Sequence, residues 1–208
     1  IWQNDFTLFS RAVEVNPNDP NAGLLLLSAA NNRVASGRAP PYVLDEAIQR
    51  FMRIDGLAEK FPERALPIVA SSLATIGQEE AALFYAQKAR EIKDAISRAQ
   101  LFLVWADLEQ NRGNREIAAE MIASAKQNLT EQQATHAVMF LLFAQTKQAL
   151  LEDDSAALEV SLRRLRAQSS PRYFVESQRR LRQFRDKLCL DPAPSSAQTM
   201  RAICKSSI

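Results

Sequence analysis

Apolar and polar positions along this 208-residue chain recur with the period of the α-helix, in blocks separated by proline, glycine and short polar runs. Trp2 to Val15 forms the first block and is stopped by Asn16-Pro17-Asn18-Asp19-Pro20. A second spans about Asn21 to Ala35 and ends at Ser36-Gly37. Pro40-Pro41 opens a third, through about Lys60, and Pro62 separates it from a fourth that ends at Ile76-Gly77. Two further blocks, about Gln78 to Ile92 and Lys93 to Arg112, have no strong breaker between them. Gly113-Asn114 opens the next, to about Asn128. Thr130-Glu131-Gln132-Gln133 has the spacing of a capping box and starts the eighth helix. Asp153-Asp154-Ser155 starts the ninth, and Ser169-Ser170-Pro171 the tenth. In that last helix Phe174, Leu181, Phe184 and Leu188 share one face.

No stretch shows the alternation of a strand, so the pattern predicts an all-α fold. Helices joined by short turns are antiparallel neighbours, and ten of them make about five hairpins. No linker divides the chain. The expectation is one array over residues 1–190, followed by a loop and short tail over 191–208.

A period runs through these blocks. Gly77 is followed by Ala82, Ala86 and Ala89; Gly113, thirty-six residues later, is followed by Ala118, Ile122 and Ala125 at identical offsets. A fixed repeat of this length marks stacked helix pairs, each too small to bury its apolar face alone. The first helices carry Leu66, Val69, Ala70 and Leu73, then Phe102, Trp105 and Ala106, then Phe140, Phe143 and Ala144. Small residues at Ala70, Ala106 and Ala144 let a helix lie close to its partner. The third unit continues with Ala156 and Val160 but lacks the turn glycine, and an earlier unit has Ala47, Phe51 and Ile54.

Over roughly residues 5 to 166 this pattern resembles the tetratricopeptide repeat. The resemblance implies a right-handed α-α superhelix of about five helix pairs, with Phe9, Ala12 and Pro17 in the second helix of a pair whose first is missing. Glu109 and Lys147 depart from it, standing where an aromatic is usual. Family members that clamp an acidic peptide tail use Lys and Asn at inward positions of the first helices. Here those positions carry Pro67, Ser71, Leu103, Asp107, Leu141 and Gln145, so that clamp is not expected. The opening Ile-Trp-Gln-Asn-Asp-Phe-Thr-Leu-Phe, closed by Asn16-Pro17-Asn18, resembles the junction after the last membrane span of bacterial multi-span glycosyl-transfer proteins. Its stripe of Trp2, Phe6, Phe9 and Val13 is equally what a first helix needs to pack on a second.

The composition is that of a folded domain, 47% hydrophobic and 24% charged, with a net charge of +2. That small total hides an asymmetry: the chain from Ser161 onward carries +8 and the remainder −6. A basic end on an acidic body suggests partners of opposite sign, or packing of one end on the other. Arg172, Arg179, Arg180, Arg182 and Arg185 form a candidate anion-binding patch, for lipid headgroups or acidic polysaccharide. The competing reading is a solvated capping helix whose arginines pair with nearby acids. Nucleic acid is disfavoured, because only Tyr173 offers an aromatic for base stacking there.

Catalytic chemistry finds no constellation. His136 is the only histidine and has no local partner for a dyad or a metal site. Glu79-Glu80 and Asp153-Asp154 sit at helix starts, where they offset the helix dipole. Neither a phosphate loop nor a nucleophile elbow occurs. No cofactor or metal is expected. Cys189 and Cys204 are two reduced thiols or one disulfide, the latter in an oxidising compartment. No apolar run approaches the roughly 20 residues of a membrane span. Since Ile1 is not a translation start, the chain is expected to be a piece whose targeting segment or anchor has been removed.

These observations lead to a non-enzymatic scaffold that binds a protein or peptide in its groove, as an extracytoplasmic domain of a larger bacterial envelope protein. Two alternatives remain: an accessory periplasmic domain of a membrane glycosyl- or oligosaccharide transferase, and a cytoplasmic adaptor that binds a polyanion through its basic end.

Overall fold

The computed structural model describes residues 5–55, 57, 63–129, 135–190 and Cys204, and every regular element among them is helical. In chain order the α-helices are α1 Asp5–Val15, α2 Pro20–Ala35, α3 Pro41–Met52, α4 Ala65–Thr75 and α5 Glu79–Gln87. They continue as α6 Ala95–Arg112, α7 Arg115–Asn128, α8 Thr135–Glu152, α9 Ser155–Gln168 and α10 Pro171–Leu190. Residues 1–104 and 105–208 form two compact units, the division falling inside α6. In the first, α2 packs on α1, α3 and α4, and α4 on α5. In the second, α8 packs on α7 and α9, and α10 lies against both α8 and α9.

The helix-to-helix turns explain the repeat in backbone terms. At Gly77 and Gly113 φ is 80°, a left-handed conformation that a side chain resists. The next residue then donates its N–H five residues back: Gln78 to Leu73 and Asn114 to Glu109, each at 2.9 Å. The same closure recurs at Gly37, where Arg38 bonds to Arg33 at 2.8 Å, and at Asp153, where Asp154 bonds to Ala149 at 3.0 Å. Asp153 thus takes the glycine's place, with φ 58°. Aspartate tolerates this region better than most residues, which is why the third unit turns correctly without a glycine.

Counting from these turns aligns the buried positions. Seven residues before them stand Ala30, Ala70, Ala106 and Thr146, all fully buried. Thr146 takes the role that the sequence pattern assigns to Ala144, which is itself buried. Its hydroxyl is disposed of locally, donating to the Leu142 carbonyl at 2.7 Å. After the turns, Ala82, Ala86 and Ala89 correspond to Ala118, Ile122 and Ala125, and all six are buried. In the third unit the equivalent positions are Leu158, Leu162 and Leu165, larger residues than the alanines, whereas Ala156 and Val160, expected to pack there, are exposed; Leu158, Leu181, Phe184 and Leu150 belong to its core.

Two boundaries differ from the sequence pattern. The third helix, expected to reach about Lys60, ends at Met52, where Arg53 and Ile54 N–H groups tighten onto Arg50 and Phe51 at 3.3 Å. The chain turns there to bury Ile54 beside Gly23. A Cβ on Gly23 would lie 2.8 Å from Ile54 Cδ1 and 3.1 Å from Phe51 Cδ2, so glycine permits the approach. The other boundary separates α5 from α6. Glu63 accepts the Lys93 and Asp94 N–H groups at 3.5 and 2.9 Å, and Asp94 Oδ2 accepts the Ser97 N–H at 2.7 Å as the N-cap of α6. The capping box expected at residues 130–133 and the tail over 191–203 lie outside the described residues.

Candidate binding surface

The second unit buries an unusual amount of polarity between helices. Glu109, Gln110, Thr146, Lys147, Gln148 and Ser177 are all buried. A buried charge or amide is tolerated only with partners, and each of the long ones has at least one, although Gln110 Oε1 is buried without any among the described residues. Glu109 accepts from Trp105 Nε1 at 3.2 Å and from Asn114 Nδ2 at 2.7 Å. Gln110 Nε2 donates to the Ala144 carbonyl at 3.0 Å and to Gln148 Oε1 at 3.1 Å. Gln148 Nε2 in turn reaches the Arg115 carbonyl at 3.1 Å and Glu152 at 2.5 Å.

Lys147 is the centre of this belt. Its ammonium donates to Asp107 Oδ1 at 2.6 Å and Asn111 Oδ1 at 2.7 Å, and lies 4.4 Å from the Phe184 ring centroid. The contact is reciprocated: the Arg180 guanidinium of α10 lies 4.9 Å from the Phe143 ring of α8. Each helix therefore offers a cation and, four residues away, an aromatic to the other. Burial lowers the Lys147 ammonium below its ordinary range, Asp107 opposes that shift, and repulsion from Arg180 and Lys187 adds to it. Burial alone would raise the Asp107 carboxyl; the charges of Lys147 and Arg180 outweigh it and hold the group below the usual carboxylate range.

Along the sequence Lys147 stands out only as a departure from the repeat pattern. The signal that finds it is the repeat itself. Asp107 and Lys147 both stand six residues before their turns, so stacked first helices bring them together. In the first unit the corresponding residues, Asn31 and Ser71, likewise meet, Asn31 Nδ2 donating to Ser71 Oγ at 3.3 Å.

The arginines of the candidate patch differ in their partners. Arg179 is held by Glu176, with Nε donating at 3.0 Å, and Arg185 by Asp186, with Nη2 at 2.9 Å. That pairing raises the Arg179 guanidinium and lowers the Glu176 carboxyl from their ordinary values. Arg182 is exposed, and Arg180 sits over Phe143. At about 100° of rotation per residue Arg179 and Arg182 are neighbours on the helix surface, and Arg180 is turned away from both. The Arg172 side chain lies outside the described residues, as does that of His136, which belongs to α8. Tyr173 is half-buried, which raises its phenol, with Arg180 and Ser177 opposing.

Cys189, at the end of α10, is joined to Cys204 by a disulfide with a Cα–Cα distance of 6.1 Å. Among the described residues no group of three or more His, Cys, Asp or Glu is placed to hold a metal, and no helix is long and apolar enough to cross a membrane. No family model matches the chain, no curated protein is significantly similar to it, and no solved structure matches its fold.

Proposed function

We propose that this chain is a non-enzymatic helical-repeat scaffold of the tetratricopeptide type, a right-handed superhelix of about five hairpins whose first helices hold another protein. The observation that carries this reading is the four-fold recurrence of one turn, at Gly37, Gly77, Gly113 and Asp153, each closed by the same backbone bond. Repeated hairpins of this kind build extended surfaces rather than enclosed reaction sites. The polar belt at the seams of the first helices fits a binding role, because its charges are committed to one another. The paired cysteines support an extracytoplasmic setting, within a larger envelope protein, over a cytoplasmic one.

The test is site-specific photo-crosslinking in the native envelope. A photoreactive residue is placed at Phe140 or Gln145 on the first helix α8, and in parallel at the exposed Glu120 or Glu159 on the second helices α7 and α9. Adducts to one and the same protein are expected from the α8 positions alone. Equal adducts from all four positions, or none from α8, would refute the scaffold reading.

A further inference from the structure

The cations of α10 are unevenly committed. Arg179 and Arg185 are each bonded to a carboxylate of the same helix. Arg180 and Lys187 make no hydrogen bond or ion pair among the described residues, although both are exposed on α10. They are seven residues apart, so they share one side of the helix, two turns and about 10.5 Å apart along its axis. Phe143 backs Arg180, fixing a side chain that would otherwise be free, and Phe184 lies between the two along the helix. Phe140, 40% exposed, stands one turn before Phe143 on α8.

We propose that this flank of α10 docks an extended acidic segment of the protein partner, with two carboxylates three residues apart meeting Arg180 and Lys187. The inference rests on reading the chain as a protein-binding scaffold. Its spacing argument is geometric. A polyproline II segment turns once in three residues and rises about 9.3 Å in doing so, which places carboxylates i and i+3 on one side at nearly the spacing of the two cations. The half-exposed Asp107 carboxylate lies within the electrostatic reach of Arg180, so the site is a discrete pair of positive points rather than a continuous basic belt. A uniformly charged polymer would be expected to use Arg179 and Arg185 as well, and both are already occupied by carboxylates. Lys147 is not an anchor, since Asp107 and Asn111 take its donors.

The probe is a fluorescein-labelled peptide containing Glu-Pro-Pro-Glu, titrated with the 208-residue chain at low salt and read by anisotropy. Comparison peptides carry Gln-Pro-Pro-Gln, or Glu-Glu-Pro-Pro with the same charge and the wrong spacing. The Glu-Pro-Pro-Glu peptide is expected to bind at least about tenfold more tightly than either. Lys187→Glu should weaken it by about tenfold, and Arg179→Glu by less than about twofold. Arg180→Glu should do the same as Lys187→Glu, but it also removes the contact with Phe143; Lys187→Glu, with an unchanged melting temperature, is therefore the decisive variant. Equal binding of the three peptides, or equal losses from Lys187→Glu and Arg179→Glu, would overturn the site. So would a heparin oligosaccharide that binds more tightly than the peptide and weakens alike in every variant. If the α8 crosslinks to a protein persist unchanged in Lys187→Glu, the docking site falls and the scaffold stands; if the unsubstituted chain gives no such crosslinks, the scaffold reading itself falls.

Discussion

Asp107 and Lys147 occupy the same place in consecutive units and meet at 2.6 Å, a carboxylate and an ammonium set by the repeat in facing positions. The lysine side chain is only 5% exposed and the aspartate 35%. Removing the partner of a buried charge costs more than the pair is worth, because the remaining charge stays desolvated. Asp107→Ala is expected to destabilise the second unit by about 2–3 kcal/mol, toward the low end of the buried range because Asp107 retains some solvent. Adding Lys147→Met should recover most of that loss. Urea denaturation of the single and double variants at pH 7 measures both.

The pH profile follows from two carboxyls. Asp107 is held low by Lys147 and Arg180 against the cost of burial, and Asp94 by the Ser97 N–H and side chain. A carboxyl whose folded pKa is depressed binds its proton more readily in the unfolded chain. Its stabilising effect is complete above the unfolded value, about 4, and is lost as the pH falls through the folded one. The melting temperature should therefore decline below about pH 4, and the decline should be shallower in Asp107→Asn. An unchanged acid limb in that variant would contradict the assignment.

The turns make a prediction of opposite signs. No atom lies within 4 Å of a Cβ built on Gly77 or Gly113, so substitution meets no neighbour and only the backbone resists it. Gly113→Ala is expected to cost about 1–2 kcal/mol. Asp153→Gly should instead gain a few tenths to about 1 kcal/mol, since Asp153 already holds the left-handed conformation. Thermal or urea unfolding of the two variants reads the contrast directly.

Asp94 caps α6 through the Ser97 N–H. Asp94→Ala is expected to lower stability by about 1 kcal/mol, and Asp94→Asn by less, because asparagine also caps well. Hydrogen exchange at the first turn of α6 should speed up in the alanine variant.

The disulfide joins the last turn of α10 to the exposed Cys204, and neither cysteine belongs to the buried core of the second unit. The isolated chain is expected to show no free thiol, and a mass two hydrogens below that of the reduced form. Reduction should leave the far-ultraviolet circular dichroism nearly unchanged, since the helical core does not depend on the closed loop. Cooperative loss of helix on reduction would contradict that.

Local chemistry wrote much of this architecture into the sequence. Gly37, Gly77 and Gly113 end helices because they alone accept the turn's backbone without strain, and the residues at fixed offsets from Gly77 and Gly113 pack because helical period carries them to one side. The all-α class and most of the helix order among the described residues follow from those signals. Other features needed the folded chain. The break between α5 and α6 has no proline or glycine; it exists because Glu63, some thirty residues earlier, captures two backbone N–H groups. Asp153 turns like a glycine because the helices on either side demand it. The arginines of α10 look alike along the sequence, yet in the fold carboxylates of the same helix hold Arg179 and Arg185 while Arg180 lies over the Phe143 ring. What made Lys147 a buried partner rather than a misfit was the stacking of first helices, which sets Asp107 opposite it. Spacing along the chain is a local property and can be read directly; which charge finds which partner is decided only where distant helices meet.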